Sequence, residues 1–188
     1  MAQAKTLTTA ELEQVLAYIA SRKFALRNRV MLLTGYWSGM RVGEIASLSL
    51  YDVVNADGTV KAEIRLTALQ TKGKHPRTVF VSQRLQAELA NYLTTRHAKG
   101  ADIPFFHTDN RLRFTPNGLC VWFHQLYKNV GISGGSSHSG RKFFITTLAN
   151  KGIGVRILAS LAGHRSIAVT QRYIDVNDEQ KRNAVELI

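Results

Sequence analysis

Residues 138–173 read HSGRKFFITTLANKGIGVRILASLAGHRSIAVTQRY, and this stretch decides what kind of chain it belongs to. Its apolar residues recur at helical spacing and predict helices over 138–151, 154–162 and 166–174. The charge is one-sided. From Asn110 through Ile174 there is no Asp or Glu, yet nine cations fall there: Arg111, Arg113, Lys128, Arg141, Lys142, Lys151, Arg156, Arg165 and Arg172.

Working outward, the same helical signal covers most of the chain. Thr8-Thr9-Ala10-Glu11 is a capping box ahead of Leu12, Val15, Leu16 and Ile19, and predicts a helix over about 9–22. A second apolar helix over about 26–37 breaks at Ser38-Gly39-Met40, which sets Arg41 at the start of another short helix. Residues 60–81 change character. Val60, Ile64 and Leu66, and then Thr78 to Ser82, predict two strands around a loop that holds Thr71-Lys72-Gly73-Lys74. Helices are expected again over 83–97, 116–130 (Thr115 cap, Pro116 in the first turn) and 177–187. Asp102–Arg113 reads as a long loop, and residues 131–137 as a flexible lead into His138. The expected fold is mostly α with a small antiparallel β-sheet (α+β), in a single domain over 1–188 with its core at about 8–176.

Composition sets the outer bounds. With 188 residues, 45% of them hydrophobic and 20% charged, the chain can build one ordinary core, which excludes wholesale disorder. A single cysteine, Cys120, excludes an intramolecular disulfide and a cysteine-based zinc cluster. The most apolar run, Val30–Trp37, is far short of the ~20 residues that span a bilayer. The N-terminus lacks the apolar core of a secretory signal, so a cytoplasmic protein is expected. The 25 Lys and Arg outnumber the 13 Asp and Glu, a net charge of +12, and the excess is clustered. A second acid-free interval, Ile64–Ala87, holds Arg65, Lys72, Lys74, Arg77 and Arg84. Such clustering fits a phosphate backbone better than a merely solvated face. No basic amphipathic helix argues for a membrane surface.

Five features have spacing that bears on chemistry: Ser38 to Glu44 around Arg41; Thr71 to Lys74; His138 with Arg141; Leu161-Ala162-Gly163-His164; and Tyr173, nine residues after His164. Each has an ordinary reading. Arg41 and Glu44 could be a helix ion pair, His138 and Arg141 a cap interaction, Lys72 a solvated hairpin residue, His164 a loop histidine and Tyr173 core.

Taken together and in this order, the residues resemble the tyrosine recombinases of the phage integrase family, whose catalytic domain runs Arg, Lys, His-x-x-Arg, His or Trp, Tyr. The resemblance spans nearly the whole chain. It implies a site-specific recombinase or integrase that cuts and rejoins DNA without metal or cofactor. Tyr173 would attack the scissile phosphate in line, form a 3′-phosphotyrosine and expel a 5′-hydroxyl. A phosphodiester is a poor electrophile, and its displacement gathers charge on non-bridging oxygens; Arg41 and Arg141 would hold those oxygens bidentately. A phenol with an ordinary pKa of ~10 needs a base. His138 is the candidate for that role, Lys72 the candidate acid for the leaving oxygen, with Lys74 as the alternative, and His164 a hydrogen-bonding group for a phosphate oxygen. Glu44 would orient Arg41. Lys74, Arg77, Lys142, Arg165 and Arg172 are expected to contact DNA. The acid-free stretch offers no carboxylate cluster for two Mg²⁺ ions.

The resemblance also implies partners: double-stranded DNA carrying recombination sites, and a homo-oligomer, a tetramer, on that DNA, with a monomer as the alternative for the free protein. The helix at 177–188 would dock on a neighbouring subunit or fold back on its own domain. Most integrases carry a core-binding domain ahead of the catalytic one, for which this chain has no room; an excised domain or a naturally short member is expected. Two rival functions share the scaffold, a type-IB-like topoisomerase and a non-cleaving DNA-binding regulator. Binding to duplex DNA should weaken steeply with salt, with a log–log slope of about −0.9 per phosphate contacted; a flat plot would contradict the phosphate-contact reading.

Overall fold

A computed structural model describes residues 4–96, 100, 102–110, 112–174, 181–182 and 185–186. Among them the elements run α1 (Thr9–Ala20), α2 (Ala25–Ser38), α3 (Val42–Ser47), α4 (Leu50–Val53), β1 (Glu63–Leu66), β2 (Arg77–Phe80), α5 (Gln83–Leu93), α6 (Pro116–Val130), α7 (Ser139–Asn150), α8 (Val155–Ala162) and α9 (Ile167–Gln171). The fold is mostly helical with one two-stranded antiparallel sheet. No helix among the described residues is long and apolar enough to cross a membrane. The helix expected over 177–187 lies largely outside the described residues.

The central element is α2. A helix with one apolar stripe lies on a surface, whereas one covered on all sides is a core helix. Val30, Met31, Leu32, Leu33 and Tyr36 are all buried, with α1, α3, α5 and α7 packed around them. Its C-terminal end stops at Gly39, whose φ of +64° is a left-handed conformation that suits glycine. Arg41 then caps α3, as the glycine break in the sequence requires. α7 crosses α2 where two glycines meet. A Cβ on Gly140 would lie 2.9 Å from the Gly35 carbonyl carbon and 2.8 Å from the Tyr36 ring. This contact fixes the start of α7, and with it His138 and Arg141, beside the end of α2.

The hairpin pairs Glu63 with Phe80 and Leu66 with Arg77, and buries Ile64, Leu66 and Val79. Its connecting loop is organised by Thr71, whose hydroxyl donates to the His75 carbonyl (2.8 Å) and accepts from the His75 amide (3.1 Å). Lys72 and Lys74 are exposed on that loop, Lys74 at a φ of +51°.

Several expected boundaries move. α5 ends at Leu93 rather than 97, and α9 ends at Gln171, so Tyr173 sits in the turn beyond it, its amide on the Thr170 carbonyl (2.9 Å). The 102–113 segment is a loop, but a packed one: Phe105 and Phe106 are fully buried against Tyr92 in an edge-and-stack cluster. The 131–137 segment is likewise packed, with Ile132 buried and Gly135 against the Tyr127 ring. Gly140→Ala should cost about 1–3 kcal/mol in urea unfolding, because the added methyl meets backbone, an overpacking cost that exceeds the ~1 kcal/mol gain in helix propensity. Unchanged stability would place the α2–α7 crossing elsewhere.

Candidate active site

The site is organised by the C-terminal end of α8. A helix leaves its last carbonyls without partners inside the helix. Here Gly163 adopts φ +61°, its amide bonds to the Ser160 carbonyl and the His164 amide to the Ala159 carbonyl, both at 2.9 Å, a Schellman pair. The next three carbonyls are each taken by a different arginine. Arg77 Nη1 donates to Leu161 (3.0 Å), Arg141 Nη2 to Ala162, and Arg41 Nη2 to Gly163 (3.3 Å). Cations at this pole also meet the negative end of the helix dipole.

Glu44 ties two of these arginines, Arg41 and Arg77, together from the other side. Its carboxylate, 1% exposed, accepts the Arg41 amide (2.7 Å), Arg41 Nη1 (3.1 Å), Arg77 Nη2 (2.7 Å) and Arg77 Nε (3.1 Å). Burial pushes this carboxyl up, but the Arg77 hydrogen bond and charge, then those of Arg41, outweigh it and hold the group below its ordinary value. Arg141 is buried, and its Nη1 also donates to the Gly39 carbonyl (2.6 Å). Burial, with the charge of Arg41, pushes it down to about 9, so it stays protonated at neutral pH.

His164 and Tyr173 lie half-buried beside this array with their rings stacked, centroids 6.0 Å apart and planes 19° from parallel. His164 Nδ1 is 2.8 Å from Thr170 Oγ1. Burial, then the charges of Arg141, Arg41 and Arg77, push the imidazole down to about 4. His138 is exposed at the N-terminal end of α7, its amide bonded to Ser136 Oγ (3.2 Å). Desolvation, then the charges of Arg141, Lys72 and Arg41, lower it as well.

Arg41, Glu44, Arg141, His164 and Tyr173 meet at one locus, while His138 stands at the N-terminal end of α7, three residues before Arg141, and Lys72 on the hairpin loop. Of the cations expected on DNA, Lys74, Arg165 and Arg172 are exposed and Lys142 half-buried. Arg77 differs: its side chain is 10% exposed and turned inward onto Glu44. As a cation in an acid-free interval it read as a surface residue; its partner lies 33 residues earlier in the chain, so no local spacing shows the pairing. Thr170, fully buried against His164, was also missed, and only the six-residue separation from His164 hints at it.

The helical layers, the two-stranded sheet and the gathering of two arginines, two histidines and a tyrosine define a tyrosine-recombinase catalytic fold. Residues 5–180 match the profile of the phage integrase family, and the chain belongs to that family. The protein of Pyrococcus furiosus named tyrosine recombinase XerA is 31% identical over 189 residues, covering 97% of this chain and 61% of the relative. The crystal structure of XerA recombinase matches with a TM-score of 0.77 at 25% identity, over 100% of this chain and 66% of that one. The Tn1549 transposon integrase, solved in complex with transposon right end DNA, shares the fold with a TM-score of 0.76 at 19% identity, over 100% and 67%. The chain thus spans about three fifths of the length of the curated relative.

The lowered histidine has a consequence for stability. His164 falls from an ordinary 6.5 to about 4 on folding, so the folded state favours the neutral ring. Its share of stability is intact above about pH 6.5 and is lost as pH falls toward about 4. In urea titrations over that window, His164→Gln should flatten part of the wild-type slope; superimposable slopes would mean that His164 titrates normally.

Proposed function

We propose that this chain is the catalytic domain of a site-specific DNA recombinase that cuts and rejoins strands through a phosphotyrosine. The observation that carries the reading is the joint anchoring of Arg41 and Arg141 on the two carbonyls just before His164, whose ring stacks on Tyr173. Each guanidinium has more N–H donors than these contacts use, leaving others for phosphate oxygens. Three guanidiniums against one carboxylate, Glu44, leave two positive charges in excess (3 − 1 = 2) where a phosphodiester under attack would concentrate negative charge.

In the reaction, the Tyr173 oxygen bonds to phosphorus as the bond to the 5′-oxygen breaks. His138 takes the phenolic proton, and Lys72, or Lys74 from the same loop, gives a proton to the leaving oxygen. His164 hydrogen-bonds a non-bridging oxygen. The ester energy stays in the protein–DNA link, and a 5′-hydroxyl of another strand recovers it by the reverse displacement. Exposed Lys74, Arg165 and Arg172, with Lys142, contact the flanking backbone. The partner is duplex DNA carrying recombination sites, which the clustered charge and the DNA complex of the Tn1549 integrase support. Strand exchange between two duplexes calls for a homotetramer on DNA, and the place of action is the cytoplasm.

The test is covalent trapping on nicked duplexes in EDTA, read on a denaturing gel. Wild type should give a protein–DNA adduct, and Tyr173→Phe should bind DNA equally but give none. Bound duplex without adduct in wild type, or an adduct from the Phe variant, would overturn the reading.

A further inference from the structure

The array around His164 leaves one question of proton placement that the geometry answers. Thr170 lies on α9, three residues before Tyr173, and is fully buried. A buried hydroxyl needs an acceptor for its proton. The two buried hydroxyls of α2 find one four residues back: Thr34 donates to the Val30 carbonyl (2.8 Å) and Ser38 to the Thr34 carbonyl (2.6 Å). Thr170 makes no such bond. Among the described residues its hydroxyl has His164 Nδ1 as its partner, at 2.8 Å.

Two arrangements satisfy that distance. If the ring carried its proton on Nδ1, it would donate to Thr170, the threonine proton would have no acceptor in a buried position, and the Nε2 lone pair would remain for an incoming phosphate, which repels it. If the threonine donates to Nδ1, its proton is satisfied, and the single N–H of a neutral imidazole must sit on Nε2. A doubly protonated ring would again orphan the threonine proton, and burial and the three surrounding guanidiniums disfavour it. The ring is also held in place: its backbone amide is fixed in the α8 terminus and its face lies on Tyr173.

We propose that Thr170 is a positioning residue that donates its hydroxyl proton to His164 Nδ1 and so fixes Nε2–H as the nitrogen that donates to the phosphate. Resting on the strand-transfer reading above, this divides labour between the histidines, with His164 a committed donor and His138 the proton acceptor. The hydroxyl acts through the ring and touches no reacting atom.

The test uses the full chain with ¹⁵N-labelled histidine at neutral pH, His164 being assigned by the signal lost in His164→Gln. Two-dimensional ¹H–¹⁵N spectra should show wild-type His164 with a pyridine-like Nδ1 and a protonated, pyrrole-like Nε2. Thr170→Val should give a mixture of tautomers, and Thr170→Ser should restore the single one. In single-turnover cleavage of a nicked duplex, the Val variant should fall by about 3- to 10-fold, the scale of one ordinary hydrogen bond, with unchanged DNA affinity and recovery in Ser. A protonated Nδ1 in wild type, or a tautomer population that the Val variant leaves unaltered, would overturn the proposal. The spectra are recorded without DNA, so failure to form a phosphotyrosine would remove the reaction while leaving the tautomer result to stand or fall by itself.

Discussion

The constraint on which the site depends is the satisfaction of one helix end. α8 closes with a Schellman turn that settles two carbonyls, and the three that follow need donors from outside. Arg77 from β2, Arg141 from α7 and Arg41 from the start of α3 supply them. Three elements remote in sequence are thereby tied to one point. A Cβ at Gly163 would stand 2.6 Å from Arg77 Cδ, so both the left-handed turn and the close approach call for glycine there.

Glu44 makes this convergence tolerable. Three guanidiniums brought together would repel one another, and the single buried carboxylate offsets part of that by holding two of them. What remains is a fixed positive field with open N–H donors. Burial first, and then this field, lowers both His164 and His138, so packing and charge act on protonation in the same direction. An arrangement of this kind is already organised before a ligand arrives.

Much of this was legible beforehand. The capping box at Thr8, the glycine break before Arg41 and the proline at the start of α6 are local signals, and the helices begin where they place them. Helix ends were less legible: α5 and α9 stop earlier than their apolar patterns run. The 102–113 segment lacks periodicity and so reads as loop, but the pattern cannot say that two adjacent phenylalanines are wedged beneath Tyr92. The sequence places Arg77 among the cations expected on DNA, because charge in a sequence carries no direction, whereas the fold turns it onto Glu44.

The sequence by itself determined the class of fold, the order of the chemical residues and the excess of positive charge, because periodicity, caps and motif spacing are properties of neighbours along the chain. The tertiary structure alone decided which cations face inward, and that the carboxylate of Glu44 holds Arg77 as well as Arg41. Those depend on partners 33, 84 and 122 residues apart that meet only when glycines let the helices close. A buried polar group must find its partner wherever the packed core offers one, and that search is settled in space rather than along the chain.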